Sequence, residues 1–284
     1  MQTQNTDKNH IGVVINKSTG CYTVSHNDKS TLCNLSAKLR QHFEFEDGHN
    51  PINSTSNKSI DPVAIGDWVT FVPTNAGEGV IVQVAARQNY LARRSARPMP
   101  SAHAFEQVIA ANIDQVIPIF AAADPTPKWH MLDRYLVAAE SHNIPSTIVI
   151  TKMDLVKDSA HEMTLLEIVE CYRKIGYPVI LTSAISHQGL DQLRSIITHR
   201  TSVLVGKSGV GKTSLLNLIE PGLGLRVQAV NTVTGKGRHT TTHLEMFTLS
   251  MGGAIIDTPG VRELGVWGLE SENIAYFFPE MRPW

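Results

Sequence analysis

Cysteine is scarce in this chain. Cys21, Cys33 and Cys171 are its three cysteines in 284 residues, an odd number with no C-x-x-C spacing. A disulfide-built scaffold is excluded on that count, and the chain reads as a cytosolic protein with reduced thiols. Long apolar runs are also missing. No stretch approaches the ~18–20 residues needed to span a bilayer. The opening residues, MQTQNTDKNH, lack the apolar core of a signal peptide. The expectation is a soluble protein with no membrane partner. Nor is there an excess of one charge. The 25 Lys and Arg against 26 Asp and Glu leave a net charge of −1, so no global field draws the chain toward nucleic acid or anionic lipid. Only a local basic face could do so.

Apolar residues make up 42% of the sequence and charged residues 18%, a globular balance. The length corresponds to about two domains and is enough to bury a substantial core. The first hundred residues are rich in short β-branched or aromatic runs: Ile11–Ile15, Cys21–Ser25, Trp68–Val72 and Gly79–Val84. Turn-formers separate them and no long helical pattern intervenes, which predicts a small antiparallel barrel. Glu44–Lys58 is polar and reads as an exposed loop. Arg87–Pro100, with its four arginines and two prolines, reads as a basic interdomain linker. From about Gln107 strands alternate with helices. The strands are read at Asp114–Phe120, Ser146–Ile150, Pro178–Leu181, Thr201–Val205 and Gly253–Ile256. The helices are read at Lys128–His142, His161–Ile175, Leu190–Thr198 and from Lys212 onward. That alternation predicts a mostly parallel sheet covered by helices on both faces.

The sharpest motif is Gly206-Lys207-Ser208-Gly209-Val210-Gly211-Lys212-Thr213, followed by Ser214, between a strand and a helix. It fits G-x-x-x-x-G-K-S/T in the context that confirms a phosphate-binding P-loop. Its glycines let backbone N–H groups close around phosphates at a helix N-terminus, where the helix dipole favours an anion. Lys212 would neutralise β/γ oxygens and the Thr213 hydroxyl would ligate Mg²⁺. Downstream, Asp257-Thr258-Pro259-Gly260 closes an apolar strand. Asp257 there can hold the Mg²⁺ hydration shell, and the Gly260 amide can sense a γ-phosphate. Thr151-Lys152-Met153-Asp154 has the form N/T-K-x-D at a strand end. Its Asp154 can accept two hydrogen bonds from guanine N1–H and N2–H₂, which adenine lacks, while the Lys152 stem covers base and ribose. Ser183-Ala184 follows the next strand, where a backbone amide could meet the guanine O6.

The order of these motifs is unusual. The guanine motif precedes the phosphate loop, and only 24 residues follow Gly260. The sequence therefore reads as a circularly permuted P-loop GTPase, binding GTP and GDP with Mg²⁺. With the barrel, that order resembles the ribosome small-subunit-dependent GTPase A (RsgA) family. So do Gly235-Lys-Gly-Arg-His239-Thr240-Thr241-Thr242, Gly66-Asp-Trp-Val, Arg87-Gln-Asn-Tyr-Leu and Asp133-Arg-Tyr-Leu-Val. The resemblance implies an N-terminal OB-fold, the permuted GTPase domain and a C-terminal zinc-binding helical domain. It also implies GTP hydrolysis stimulated by the 30S subunit, with its 16S rRNA as partner, late in that subunit's maturation. Gly235–Thr242 becomes a switch loop, in which Thr240 or Thr241, with Thr241 preferred, completes Mg²⁺ coordination. Val261 stands where some GTPases carry a water-orienting glutamine. His239 is then the available catalytic group, beside Lys212 and Thr241.

Two departures accompany the resemblance. Thr151 replaces the usual asparagine, so base affinity is expected to fall while Asp154 keeps the selectivity. The chain also stops at Trp284 before any Cys/His cluster, so the zinc expected in the family is not predicted here. The resulting expectation is an OB-type barrel and basic linker over 1–100, the permuted GTPase domain over 101–270, and the start of a truncated helical segment over 271–284. The protein would be a cytoplasmic monomer. Residues 1–100 carry 10 Lys and Arg against 8 Asp and Glu, too small a surplus to establish RNA binding. Two alternatives stand: a nucleotide-binding module or paralogue with little turnover, and a P-loop ATPase or small-molecule kinase.

Overall fold

The computed structural model of the chain describes residues 9–18, 20–41, 63–74, 77–94, 106–223, 244–258 and 272–282. They fall into two compact units that part between Asn112 and Ile113, with 244–246 belonging to the first.

In the first unit, five strands close on themselves: β1 (His10–Ser18), β2 (Cys21–His26), β3 (Lys29–Leu35), β4 (Trp68–Pro73) and β5 (Gly79–Val84). Their order is β1-β2-β3-β5-β4, with β4 returning to β1, which is the OB-fold barrel. Only β3–β5 is parallel. Alternation puts Val14, Tyr22, Val24, Cys33, Val69, Phe71 and Ile81 inside. Burial pushes the Cys33 thiol up to about 11, so it serves as an apolar core residue.

Composition made Arg87–Pro100 a linker, and the structure corrects that for its described part. Tyr90–Arg94 is strand β6, paired antiparallel with β7 (Glu106–Ala111). Arg87 is bound into the same unit: its Nε and Nη2 donate to Asp67 Oδ1 and Oδ2, each at 2.7 Å. Asp67 is fully buried and also accepts the Ala64 N–H at 2.7 Å. Removing one member of such a pair strands a buried charge. Arg87→Met is therefore expected to lower the unfolding free energy of this unit by about 3 kcal/mol, measured as a shift in its urea midpoint. A change within about 0.5 kcal/mol, the usual range for surface substitutions, would show the pair to be dispensable.

The second unit alternates strand and helix: β8 (Gln115–Ala121), α1 (Trp129–Glu140), β9 (Ile148–Thr151), α2 (Ala160–Ile175), β10 (Val179–Leu181), α3 (Leu190–Ile197), β11 (Thr201–Val205), α4 (Lys212–Ile219), the latter half of β12 (Glu245–Thr248) and β13 (Ala254–Asp257). The sheet runs β10-β9-β8-β11-β13 with β12 beyond it, and its first five strands are parallel. Every residue of β8 and β9 is buried, which explains their unbroken apolar runs. Local signals set the ends of α2. Ser159 accepts the Glu162 N–H, and Gly176 takes a left-handed C-cap at φ 116°. Residues 272–282 form two short 3₁₀ turns, Ile274–Phe277 and Pro279–Met281, and Arg282 pairs with Glu140 of α1 at 2.5 Å. Among the described residues no helix is long and apolar enough to cross a membrane.

Candidate nucleotide site

Parallel β/α units turn the C-terminal ends of their strands toward one edge, where loops can meet over a ligand. Here those ends carry the motifs. The loop Gly206–Gly211 leaves β11 and enters α4 at Lys212. A Cβ on Gly206 would stand 2.3 Å from the Ile119 carbonyl, so only glycine lets the loop pass β8. Gly209 and Gly211 take φ of 83° and 95°, a region closed to most side chains. Lys207 and Ser208 are exposed, Val210 is buried, and Thr213 and Ser214 are half-buried at the start of α4.

Lys212 is only 9% exposed. Its ammonium donates to the carbonyls of Gly206, at 2.7 Å, and Lys207, at 3.0 Å, so it lies curled under the loop. Burial lowers its pKa and the nearby Asp257 carboxylate opposes that shift. For Asp257, burial raises the pKa and Lys212 opposes it. Asp257 closes β13 beside Leu204 of β11, and Thr258 donates to the Leu204 carbonyl at 2.7 Å. Asp257 Oδ1 is buried without a hydrogen-bond partner among the described residues. A buried carboxylate oxygen left unmatched beside a lysine is what a hydrated cation would complete, so these residues fit Mg²⁺.

The second cluster sits at the ends of β9 and β10. Thr151 is 2% exposed, and its hydroxyl lies 2.5 Å from the Val210 carbonyl of the phosphate loop. Lys152 adopts a left-handed backbone at φ 58°, and its ammonium donates to the Asp124 carbonyl. Met153 is buried beneath. Asp154 is half-buried, and its Oδ1 accepts the Ser183 hydroxyl at 2.5 Å. That same Ser183 oxygen accepts the N–H groups of Ile185 and Ser186, each at 3.2 Å, and Ala184 is half-buried between them. The fold thus brings 151–154, 183–184, 206–214 and 257 into the same unit. Gly260, Val261, His239, Thr240 and Thr241 lie outside the described residues.

Two features escaped the sequence reading. Asp124 enters through its backbone carbonyl, which no residue type announces. Ser183 was read for its backbone, whereas its side chain holds the carboxylate of Asp154; the serine itself was the available signal.

A family model for the RsgA GTPase matches residues 84–267. The chain belongs to the RsgA GTPase family. The RsgA of Gemmatimonas aurantiaca, named small ribosomal subunit biogenesis GTPase, is 44% identical over 223 residues, covering 78% of this chain and 70% of the relative. The RsgA of Bacteroides fragilis, with the same name, is 33% identical over 271 residues, 95% and 82% of the two chains. Among solved structures, YjeQ from Thermotoga maritima matches with a TM-score of 0.68 at 29% identity, over 96% of this chain and 82% of that one. YloQ, a circularly permuted GTPase, matches with a TM-score of 0.64 at 31% identity, over 100% and 82%. This RsgA-family chain is accordingly a GTPase of permuted motif order.

Proposed function

We propose that this GTPase binds GTP and GDP with Mg²⁺ and hydrolyses GTP in the late maturation of the 30S ribosomal subunit, contacting 16S rRNA as a cytoplasmic monomer. The names of its relatives support the subunit. The observation that carries the nucleotide reading is the hydroxyl of Thr151 on the carbonyl of Val210, which ties the guanine motif to the phosphate loop. Backbone N–H groups of Gly206–Ser214 receive the phosphates, and Lys212 turns from its two carbonyls to the β/γ oxygens. Asp154 reads guanine with the help of Ser183 and Ala184, and the Lys152 stem lies along the base. Thr213, Asp257 and Thr241 hold the metal. A bound Mg²⁺ supplies neutralisation of charge on the β- and γ-phosphate oxygens. Gly260 meets the γ-phosphate, and His239 orients the attacking water or takes its proton, since Val261 cannot.

The test is GTP turnover by the 284-residue chain alone, with purified 30S subunits and with purified 50S subunits. Stimulation by 30S of at least about tenfold, ~1.4 kcal/mol off the barrier, is expected. Stimulation by 50S equal to or above that by 30S would sink the assignment to the small subunit.

A further inference from the structure

Two runs that the nucleotide site does not use, Gly66-Asp67 and Arg87-Gln88-Asn89, meet in the first unit around Asn112, the residue after which the chain enters the second unit. The Asn112 side chain uses both ends of its amide. Its Oδ1 accepts the Gln88 N–H at 2.9 Å, and its Nδ2 donates to the Gly66 carbonyl at 2.9 Å. Its backbone N–H donates to the Asn89 carbonyl at 2.9 Å. Gly66 is itself set against the barrel: its N–H donates to the Val14 carbonyl of β1 at 2.8 Å. A Cβ on Gly66 would stand 2.2 Å from the Ala111 carbonyl, so only glycine lets the two runs approach so closely. The buried Asp67–Arg87 pair fastens the same runs to each other. Asn112 takes φ of 55°, a left-handed backbone that asparagine adopts more readily than most residues. The chain therefore leaves the first unit from a point held by hydrogen bonds to both runs.

Two residues later the chain is fastened again, now within the second unit. The Asp114 N–H donates to the Thr201 carbonyl at 2.9 Å, and the Thr201 N–H donates to Asp114 Oδ2 at 2.7 Å. Thr201 opens β11, the strand that runs into the phosphate loop. Only Ile113, 2% exposed, stands between the two fastenings. A linker that lets domains move independently needs a run of free backbone, and this connection has none. We infer that Asn112 is a positioning residue for stimulated hydrolysis: it carries the effect of the small subunit on the barrel unit, through Asp114, to β11 and the phosphate loop. The inference rests on the small-subunit reading above. Coupling between distant sites runs through hydrogen-bonded and packed elements, and the segment from Asn112 to Thr201 supplies one. Basal hydrolysis does not need it, because the described residues of the nucleotide site all belong to the second unit.

The experiment compares the unaltered chain with two variants. Asn112→Gly keeps the left-handed backbone and removes both side-chain hydrogen bonds. The second variant inserts two glycines between Asn112 and Ile113, which leaves the bonds of Asn112 in place and adds slack after them. For each, basal GTP turnover, turnover at saturating purified 30S subunits and affinity for 30S by sedimentation are measured, with the urea midpoint of the first unit as the check on folding. In both variants the stimulation is expected to fall at least about fivefold, while basal turnover and 30S affinity stay within about twofold. Stimulation retained in either folded variant overturns the inference. So does a loss of stimulation matched by a loss of basal turnover or of 30S affinity, which marks a merely structural residue. The insertion decides the matter if Asn112→Gly unfolds the first unit. Failure of 30S to stimulate the unaltered chain is a different result, overturning the small-subunit reading and this inference with it.

Discussion

Asp154→Asn is expected to turn a guanine site into a xanthine site. The reason lies in the hydrogen bond from Ser183. That hydroxyl donates to Asp154 Oδ1 at 2.5 Å, and it also accepts the N–H groups of Ile185 and Ser186, which orient its proton away from them. An asparagine at this position meets the serine proton with its own Oδ1 and so turns its NH₂ toward the base. Guanine then presents N–H donors to an N–H donor, while xanthine offers a 2-oxo group in the same place. Sites built to hydrogen-bond one ligand reject the mismatched one by about 10⁴–10⁵-fold. GDP affinity is expected to fall by at least about 10³-fold and XDP affinity to rise above that for GDP. Competition of GDP and XDP against a fluorescent guanine nucleotide measures both. Retained GDP affinity in the variant would show that Asp154 does not read the base. The companion change Ser183→Ala frees the asparagine to rotate and should blunt the switch.

Lys212→Ala is expected to slow GTP hydrolysis by about 10²–10³-fold at saturating nucleotide, the usual cost of removing one preorganised charge-stabilising group. The ammonium is buried, bound to the carbonyls of Gly206 and Lys207, and faced by Asp257. Burial disfavours its charge, so the anionic phosphates offer this cation a better environment than the carbonyls it holds now. Alanine removes that gain and leaves Asp257 without its neighbouring positive charge, in a place where burial already raises the carboxylate's pKa. Single-turnover hydrolysis with saturating GTP separates the chemical step from weakened binding. A rate within about tenfold of the unaltered chain would remove Lys212 from the chemistry.

The motifs were legible because each is contiguous. Gly206–Thr213 needs only a strand before it and a helix after it, and both are local patterns: Thr201–Val205 is as expected and α4 begins at Lys212. Helices α1, α2 and α3 come within two residues of their expected ends, since apolar periodicity and caps are local too. Strand β3 was missed. Of Lys29-Ser-Thr-Leu-Cys-Asn-Leu only Cys33 is buried, so the run lacks the apolar alternation that announces a strand. Strand β6 was missed because four arginines made its surroundings look like linker, whereas Arg87 is spent on the buried Asp67. In both cases the strand exists because of its partners, β2 for β3 and β7 for β6, rather than because of an apolar pattern of its own.

Threonine at 151 shows the division most plainly. Residue order alone determined that a guanine motif precedes a phosphate loop, because each motif is a short run whose chemistry lies in its own side chains and backbone. Whether the missing asparagine weakens the base contact or the phosphate contact was undecidable from that order. Thr151 and Val210 stand 59 positions apart, and only the sheet, by placing β8 between β9 and β11, brings hydroxyl and carbonyl together. A hydrogen bond needs its two atoms within about 3 Å, and over such a separation tertiary packing alone sets that distance.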